Sequence, residues 1–404
     1  MLELTKLELI KLCRKKTTMI VTAGCLLGTV IFFLLPYMQF HVWNSDGTML
    51  SGKEAVAYRK EVYEMLSGTM TEERITEDIQ DYQSVYSNPE NVITERGGKT
   101  ALKDDIFYKY FEPRHSYLDL LGNAYSNNES GADNLMNVNL NSGADFYRAR
   151  AETVIERIDN NEDLGEAEKE YWKEKALSIK TPFEYGYMLG WYNFGDTAEM
   201  LIICILGICI VLSSVFAEEY QTGTASIILS TRFGKNKIIR AKLLSAFLFS
   251  TVVFIVNAMI ALTISLRLFG SEGGNLPIQI GSTSAPYQLT FQQAALLSIG
   301  IDYIVLLGLV SVTLLLSSKM KSSLSVLIVD MLIIIVPIFF SINKATALLP
   351  AMATLGTSLF NYYISYNIGG RVINHFVMIL IVYIVMSAIA LPMATKVFKN
   401  HQVG

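Results

Sequence analysis

Charged and metal-binding side chains are scarce in this sequence. Asp, Glu, Lys and Arg make up 17% of the 404 residues, whereas apolar residues make up 51%, an excess over a typical soluble domain. The four histidines have no metal-ligand spacing with one another, so no metal site is predicted. Of the four cysteines, none lies between residues 41 and 194, which excludes a disulfide scaffold for that segment.

A phosphate-binding loop is also missing. Gly97, Gly98, Lys99 and Thr100 imitate the end of such a loop, but the motif needs a glycine five positions before Gly98, where Ile93 stands. The chain is therefore predicted to bind no cofactor and to hydrolyse no ATP by itself. It has no basic patch with interleaved aromatic residues, so nucleic acid is not an expected partner.

Long apolar windows are the main feature that is present. Six of them reach the roughly 20 helical residues that cross a hydrocarbon core, at residues 18–37, 197–216, 243–268, 294–316, 324–342 and 372–394. They predict an all-α protein of the lipid bilayer with six transmembrane helices. A basic start (residues 1–16) precedes the first helix (17–37), and no small-x-small cleavage site follows Phe33, which favours an uncleaved signal-anchor.

A polar insert, residues 38–195, separates the first two windows. Residues 41–194 hold 16 Lys/Arg against 28 Asp/Glu, a net charge of −12, which is typical of a separate domain. Helical patterns at 144–158 and 164–179, and Ser/Thr-x-x-Glu spacings that begin at Ser51 and Thr181, predict a mainly helical domain. Residues 87–142 give no clear periodicity.

Basic residues in the short loops predict the orientation. Placing the N-terminus inside puts 14 Lys/Arg near the cytoplasmic ends of the spans and 3 near the outer ends, as the positive-inside rule requires. The five helices of the 196–398 region then bring the tail, 399–404, back to the cytoplasm. The insert becomes extracytoplasmic, between helices 1 and 2, and its lack of cysteine fits a bacterial cell membrane.

Three polar residues inside the windows are functional candidates: Asn257, Asp302 and Asp330. A carboxylate near the centre of a spanning helix costs about 2.5–3.5 kcal/mol on insertion scales, so each must face other helices or water. One hypothesis has the aspartates line a substrate or ion path, and the other pairs them with Arg267, Asn257 or a serine. An aspartyl protease is disfavoured, because residues 298–302 read Ser-Ile-Gly-Ile-Asp instead of ending in Gly-x-Gly-Asp.

The coupling loop, as we name residues 217–242, carries the most specific motif. Glu219 is followed after three residues by Gly223 and Thr224, then by a short apolar helix at 225–229, a turn of small and basic residues at 230–237, and Lys242 at the start of the next span. This order resembles the ABC-2 family of export permeases. The opening residues 7–12 also look like the interfacial helix of some members.

The resemblance implies the permease subunit of an ATP-driven ABC exporter, a transport subunit that is not an enzyme. ATP and Mg²⁺ would bind a separate ATPase subunit, and a second permease copy or paralogue would complete the path. Seven residues would couple the chain to the ATPase: Glu219, Gly223, Thr224, Ile227, Ile228, Arg232 and Lys242. The residues alone predict that Ile227, Ile228 and Leu229 dock onto a soluble protein, with contact to anionic lipid as the alternative. A membrane sensor whose outer domain binds a ligand remains the second hypothesis.

Overall fold

The computed structural model describes residues 1–94, 100–126, 131–231 and 233–400. Residues 97–99 of the incomplete phosphate loop and Arg232 of the coupling loop lie outside these ranges. The fold is mostly helical. Helix α1, Leu2–Cys13, comes first, and α2, Lys16–Met38, follows it after a two-residue turn. A helix is thus present at the predicted position and is longer than the motif suggested, while its interfacial location stays a prediction.

In residues 38–94, 100–126 and 131–195, the insert contains six α-helices and three short antiparallel strand pairs, β1–β2, β3–β6 and β4–β5. The helices are α3 Gly52–Met65, α4 Glu72–Ser87, α5 Asp104–Ile106, α6 Glu112–Gly122, α7 Phe146–Asp159 and α8 Glu166–Leu177. The strands are β1 His41–Trp43, β2 Met49–Ser51, β3 Gly68–Thr69, β4 Val92–Thr94, β5 Thr100–Leu102 and β6 Glu184–Tyr185. Helices α7 and α8 confirm the two predicted from charge periodicity.

One predicted helix of the insert is wrong. The Thr181-x-x-Glu184 spacing predicts a helix start, yet the chain there is extended and ends in β6. Phe183 explains the difference, because its carbonyl accepts from the Met70 amide at 2.8 Å and its own amide donates to the Tyr147 hydroxyl at 2.8 Å. These tertiary hydrogen bonds hold the segment beside β3 and override the local helix preference.

The second half of the chain contains the remaining elements. The helices are α9 Leu189–Thr197, α10 Leu201–Leu212, α11 Ser214–Gln221, α12 Thr224–Ser230, α13 Ile239–Phe269, α14 Phe291–Lys319, α15 Ser323–Ile335, α16 Pro350–Ala353 and α17 His375–Lys399. The strands β7, Ser365–Ile368, and β8, Arg371–Asn374, form an antiparallel hairpin. A π-helical turn, Gly234–Ile238, leads into α13.

Five helical runs of the described chain are long and apolar enough to cross a membrane. They are Lys16–Met38, Leu189–Gln221, Gly234–Phe269, Phe291–Lys319 and His375–Lys399. The chain is therefore a multi-pass membrane protein. The window at 324–342 forms a shorter apolar run, Ser323–Phe339, whose length of about 25 Å at helical rise falls short of a 30 Å core. A sixth span stays a prediction.

The insert and the coupling loop lie at opposite ends of the bundle. At one end, Tyr37 and Phe40 pack edge-on against Phe269, the last residue of α13, with ring centroids 5.8 and 5.3 Å apart. The insert is fastened there, since Trp172 Nε1 donates to Ser365 Oγ at 3.0 Å and Lys344 pairs with Glu168 at 2.6 Å. At the other end, α1 packs on the first turns of α13.

Candidate functional site

Two glycines shape the coupling loop. Gly223 ends α11 with a φ of +69°, a left-handed conformation that costs other residues about 1–2 kcal/mol. The chain can therefore reverse there and start α12 at Thr224. Gly234 lets the return segment touch α12, because a Cβ at this position would lie 1.7 Å from the carbonyl oxygen of Ile228. Both turns therefore require glycine, which has no side chain.

Glu219 is the centre of a buried charge cluster. Only 5% of the residue is exposed, and its Oε1 accepts from Lys242 Nζ at 2.8 Å and from Lys11 Nζ at 2.7 Å. Its Oε2 accepts from the hydroxyl of Thr224, the first residue of α12. One carboxylate thus joins the coupling helix to α13 and to the N-terminal helix, and its desolvation is offset by three donors.

Helix α1 supplies two members of this cluster, and the motif does not include them. Glu8 Oε2 accepts from Lys242 Nζ at 2.9 Å, so the buried Lys242 lies between two carboxylates. Lys11 contacts Glu219 from the other side. The only sequence signal was the pair of opposite charges one helical turn apart, Glu8 and Lys11, on a helix that also carries leucines.

The electrostatic effect of Glu219 is visible at Lys11. Burial lowers the pKa of the Lys11 ammonium, but the hydrogen bond and the negative charge of Glu219 outweigh it, so that this pKa lies above its ordinary value. A charged partner on each side is the condition under which buried ions are tolerated in proteins. Glu219 therefore stabilises the charged form of Lys11.

Helix α11 is fixed to α14 by a second set of contacts. Ser317 Oγ accepts from the amides of Phe216 at 3.0 Å and Ala217 at 3.1 Å and donates to the Ser213 carbonyl at 2.8 Å. The Tyr220 hydroxyl donates to the Ser318 carbonyl at 2.7 Å. The end of α14 thus holds α11, which leads through Gly223 into α12.

The outward face of α12 differs in part from the sequence prediction. Ile227 is 66% exposed and Ile228 is half-buried, but Leu229 is only 7% exposed. Leu229 and Ala225 face the bundle, four residues apart on one side of the helix. Leu229 is therefore not available to a partner, and the exposed apolar surface consists of Ile227 with Phe233. Lys237 Nζ lies 4.4 Å from the centroid of the Phe233 ring.

The three intramembrane candidates are buried but not joined to one another by a hydrogen bond. Asn257 accepts from Thr29 Oγ1 at 2.8 Å and donates to the Val253 carbonyl at 2.8 Å, so its amide links α13 to α2. Asp302 and Asp330 are 1% and 3% exposed. Each has one carboxylate oxygen without a hydrogen-bond partner among the described residues, and the predicted pairing with Arg267 or Asn257 is not seen there.

The family model described as "ABC-2 family transporter protein" matches residues 4–400 of the chain. The chain belongs to this family. The matched range runs from α1 to α17, and the match supports a permease role within an ABC transporter system. No curated protein and no solved structure matches the chain.

Membership in the ABC-2 family gives the coupling loop its context. The residues that resemble the family motif lie around one carboxylate, since Thr224 and Lys242 both donate to Glu219. Gly223 supplies the reversal between them. The motif spacing thus corresponds to a compact local structure that ends in the exposed face of α12.

Proposed function

We propose that this ABC-2 protein is the permease subunit of an ATP-driven exporter and that α12 docks onto a separate ATPase subunit, which binds ATP and Mg²⁺. A second permease copy or a paralogue would complete the translocation path. The observation that carries the proposal is the Glu219 cluster. It connects an exposed helix of seven residues to α1 and α13 through buried ion pairs.

A docked ATPase would act on the spanning helices through these contacts. Movement of α12 pulls on Glu219 through Thr224, and Glu219 is bonded to Lys242 in the first turn of α13. The connection between α12 and α13 is rigid because Lys242 is almost fully buried and has two carboxylate partners. The exposed Ile227 and Phe233 supply apolar contact area, while Lys235 and Lys237 beside them suit an acidic rim on the partner.

The proposed orientation puts the coupling loop in the cytoplasm and the insert outside. The loop-charge asymmetry supports it, as does the position of the two features at opposite ends of the bundle. Asp302 and Asp330 are proposed to border the path, because an unpaired buried carboxylate is costly and is retained in spans mainly where it has a function.

The docking proposal is tested with Ile227→Asp in the tagged full chain, purified from its native membrane. Proteins with a Walker A motif that co-purify are then quantified by mass spectrometry. Placing a charge in an apolar interface should lower recovery of the ATPase about tenfold or more. The matched control is Leu177→Asp, which changes an equally exposed leucine in the insert. Equal recovery from both variants would contradict docking through α12.

The orientation is tested separately by cysteine labelling. In a Cys13→Ser background, which removes the exposed native thiol, a cysteine at Glu90 of the insert should react with an impermeant maleimide in intact cells. A cysteine at Asn236 of the coupling loop should react only after permeabilisation. The opposite pattern would invert the proposed topology without affecting the docking test.

A further inference from the structure

A segment between α15 and α17 joins the insert to the spanning helices. This strap, as we name residues 343–361, is fully described, and its only α-helix is α16, of four residues. Its first half packs against α14, α15 and α17, and its last turn, Gly356–Asn361, packs against α9 and α14. The strap therefore lies across the insert end of the bundle, away from the Glu219 cluster.

One end of the strap is bound to the insert through a single charge. Lys344 is the only charged residue among the 19 residues of the strap, and its Nζ donates to Glu168 Oε2 at 2.6 Å. Glu168 belongs to α8 and is only 3% exposed. The Tyr366 hydroxyl of β7 donates to the Lys344 carbonyl at 2.8 Å. The side chain of Lys344 thus contacts the insert, while its backbone is bonded to the β7–β8 hairpin.

The carboxylate of Glu168 is fixed within α8 by further contacts. Its Oε2 also accepts from the Gly165 amide at 2.9 Å, at the start of α8. Its Oε1 accepts from Ser365 Oγ at 3.3 Å, and this hydroxyl oxygen accepts from Trp172 Nε1 at 3.0 Å. A buried carboxylate needs such partners, because they offset its desolvation. Among the described residues, Lys344 is its one ion-pair partner.

The other end of the strap is anchored in the bundle by close packing. Leu359 and Phe360 are 2% and 1% exposed, and the Phe360 ring lies 5.0 Å from the ring of Phe376 in the first turn of α17. Gly195 of α9 leaves room for Thr357, because a Cβ at this glycine would lie 2.3 Å from the Thr357 hydroxyl oxygen. This end is therefore held by the spanning helices themselves.

The middle of the strap, residues 345–354, is held less strongly. Leu348 and Leu349 are only half-buried, and most of the buried side chains are small: Ala347, Ala351, Ala353 and Thr354. Small side chains contribute little, because the free energy of burial follows the apolar area. The Tyr383 hydroxyl of α17 donates to the Leu348 carbonyl at 3.0 Å. The position of the middle therefore depends on the two ends of the strap.

We propose that the middle of the strap is a lid over α14, α15 and α17, which the insert holds in place through the ion pair between Glu168 and Lys344. Glu168 is then a positioning residue. Movement of α8 away from the bundle takes the carboxylate from Lys344, and residues 345–354 detach while the end at Phe360 stays bound. The lid goes beyond the permease role and uses no residue of the coupling loop, so ATPase docking and the lid can fail independently.

Amide hydrogen exchange of the full chain in lipid nanodiscs, followed by mass spectrometry, tests the lid. In Glu168→Gln and in Lys344→Gln, residues 345–354 should exchange about tenfold faster than in wild type, the change expected for the loss of one charge-assisted hydrogen bond. Residues 358–361 should keep the wild-type rate. The double variant should exchange no faster than the faster single variant, because both substitutions remove the same contact.

Two control variants separate the lid from a general loosening of the insert. Lys344→Arg keeps the charge and should behave like wild type. Lys60→Gln removes a different ion pair, between the insert and Glu272 in the loop after α13, and should leave the strap unchanged. Helices α4 and α7 report on folding of the insert, and if they exchange faster in Glu168→Gln, Lys344→Gln alone decides.

Four results would overturn the proposal. They are unchanged exchange at residues 345–354, additive effects in the double variant, an equal increase in Lys60→Gln or Lys344→Arg, and an increase that extends equally to residues 358–361. The last result would show that the strap opens as a whole and that Glu168 does not position its middle.

Discussion

Glu219→Gln is the most informative single substitution in the coupling loop. Glutamine keeps the size and shape of the side chain but removes its charge. Its amide NH₂ can no longer accept from Thr224 or from a lysine, so at least one of the three donors to this position loses its acceptor. Lys242 then keeps Glu8, at 2.9 Å, as its only charged partner among the described residues and remains buried.

The free energy lost on replacing Glu219 by glutamine follows from these contacts. Removing one partner of a fully buried ion pair costs about 3–5 kcal/mol. The cost is lower here, because Lys242 retains Glu8 and the Lys11 side chain, 53% exposed, can turn to water. Each charge-assisted hydrogen bond contributes about 1.5–3 kcal/mol. We therefore expect Glu219→Gln to lower the free energy of local opening of the cluster by about 2–3 kcal/mol. That free energy corresponds to a roughly 30- to 150-fold increase in the open population.

Amide hydrogen exchange with mass spectrometry measures this opening directly. In detergent or nanodiscs, peptides from α1 and α12 of Glu219→Gln should exchange roughly 30 to 150 times faster than in wild type, while those from α14 stay unchanged. The adjacent Glu218→Gln is the matched control. Glu218 is 42% exposed and pairs with Lys15, and such pairs contribute about 0–1 kcal/mol. Equal exchange in both variants would refute the argument that Glu219 holds the loop together.

Three further predictions concern other positions. Gly234→Ala should accelerate exchange in α12 more than Gly223→Ala, because its Cβ meets backbone 1.7 Å away whereas the Cβ at Gly223 meets open space. His115 Nε2 donates to the Asp119 carboxylate, and this hydrogen bond raises the pKa of the imidazole above 6.5. Its contribution to stability is present below pH 6.5 and is lost as pH rises through the raised pKa. Hydrogen exchange at the histidine C2 position should show the raised pKa, and Asp119→Asn should abolish the shift. Asp302→Asn should raise the melting temperature in detergent, since an unpaired buried carboxylate is costly, and a lower value would reveal an unseen partner.

Hydropathy predicted the spanning helices wherever apolar length alone decides the structure. The windows at 18–37 and 243–268 lie in helices that are at least 23 residues long, because lipid requires every backbone group to be bonded within the helix. The window at 372–394 overlaps the helix His375–Lys399 but begins in β8, Arg371–Asn374. The window at 324–342 is different, since Pro337 and the polar residues after Phe340 end the helix early. Helix α6 was not predicted, because the turn-forming residues around it obscure the hydrophobic periodicity of so short a helix.

The candidate site was predictable only in its local part. One continuous motif contains Glu219, Gly223, Thr224 and Lys242, and the structure brings these residues together. Lys11 contacts Glu219 across 208 positions of sequence, a pairing that periodicity cannot indicate. The burial of Leu229 likewise depends on where α12 begins, and a shift of one residue in a seven-residue helix turns each side chain by about 100°.

The lysines near the coupling loop also bear on the choice between ATPase docking and lipid contact. If the coupling loop simply lay on anionic lipid, its nearby lysines would extend towards phosphate groups. Lys11, Lys15 and Lys242 instead bond to Glu219, Glu218 and Glu8. The protein's own carboxylates thus satisfy these charges, and the exposed basic residues that remain on the described loop are Lys235, Lys237 and Arg240. Because Lys235 and Lys237 lie beside the apolar Ile227 and Phe233, the surface combines a hydrophobic centre with a charged edge, an arrangement typical of protein interfaces. Ile227→Asp therefore separates the two hypotheses, since a lipid-facing loop would bind the membrane less well but leave ATPase recovery unchanged.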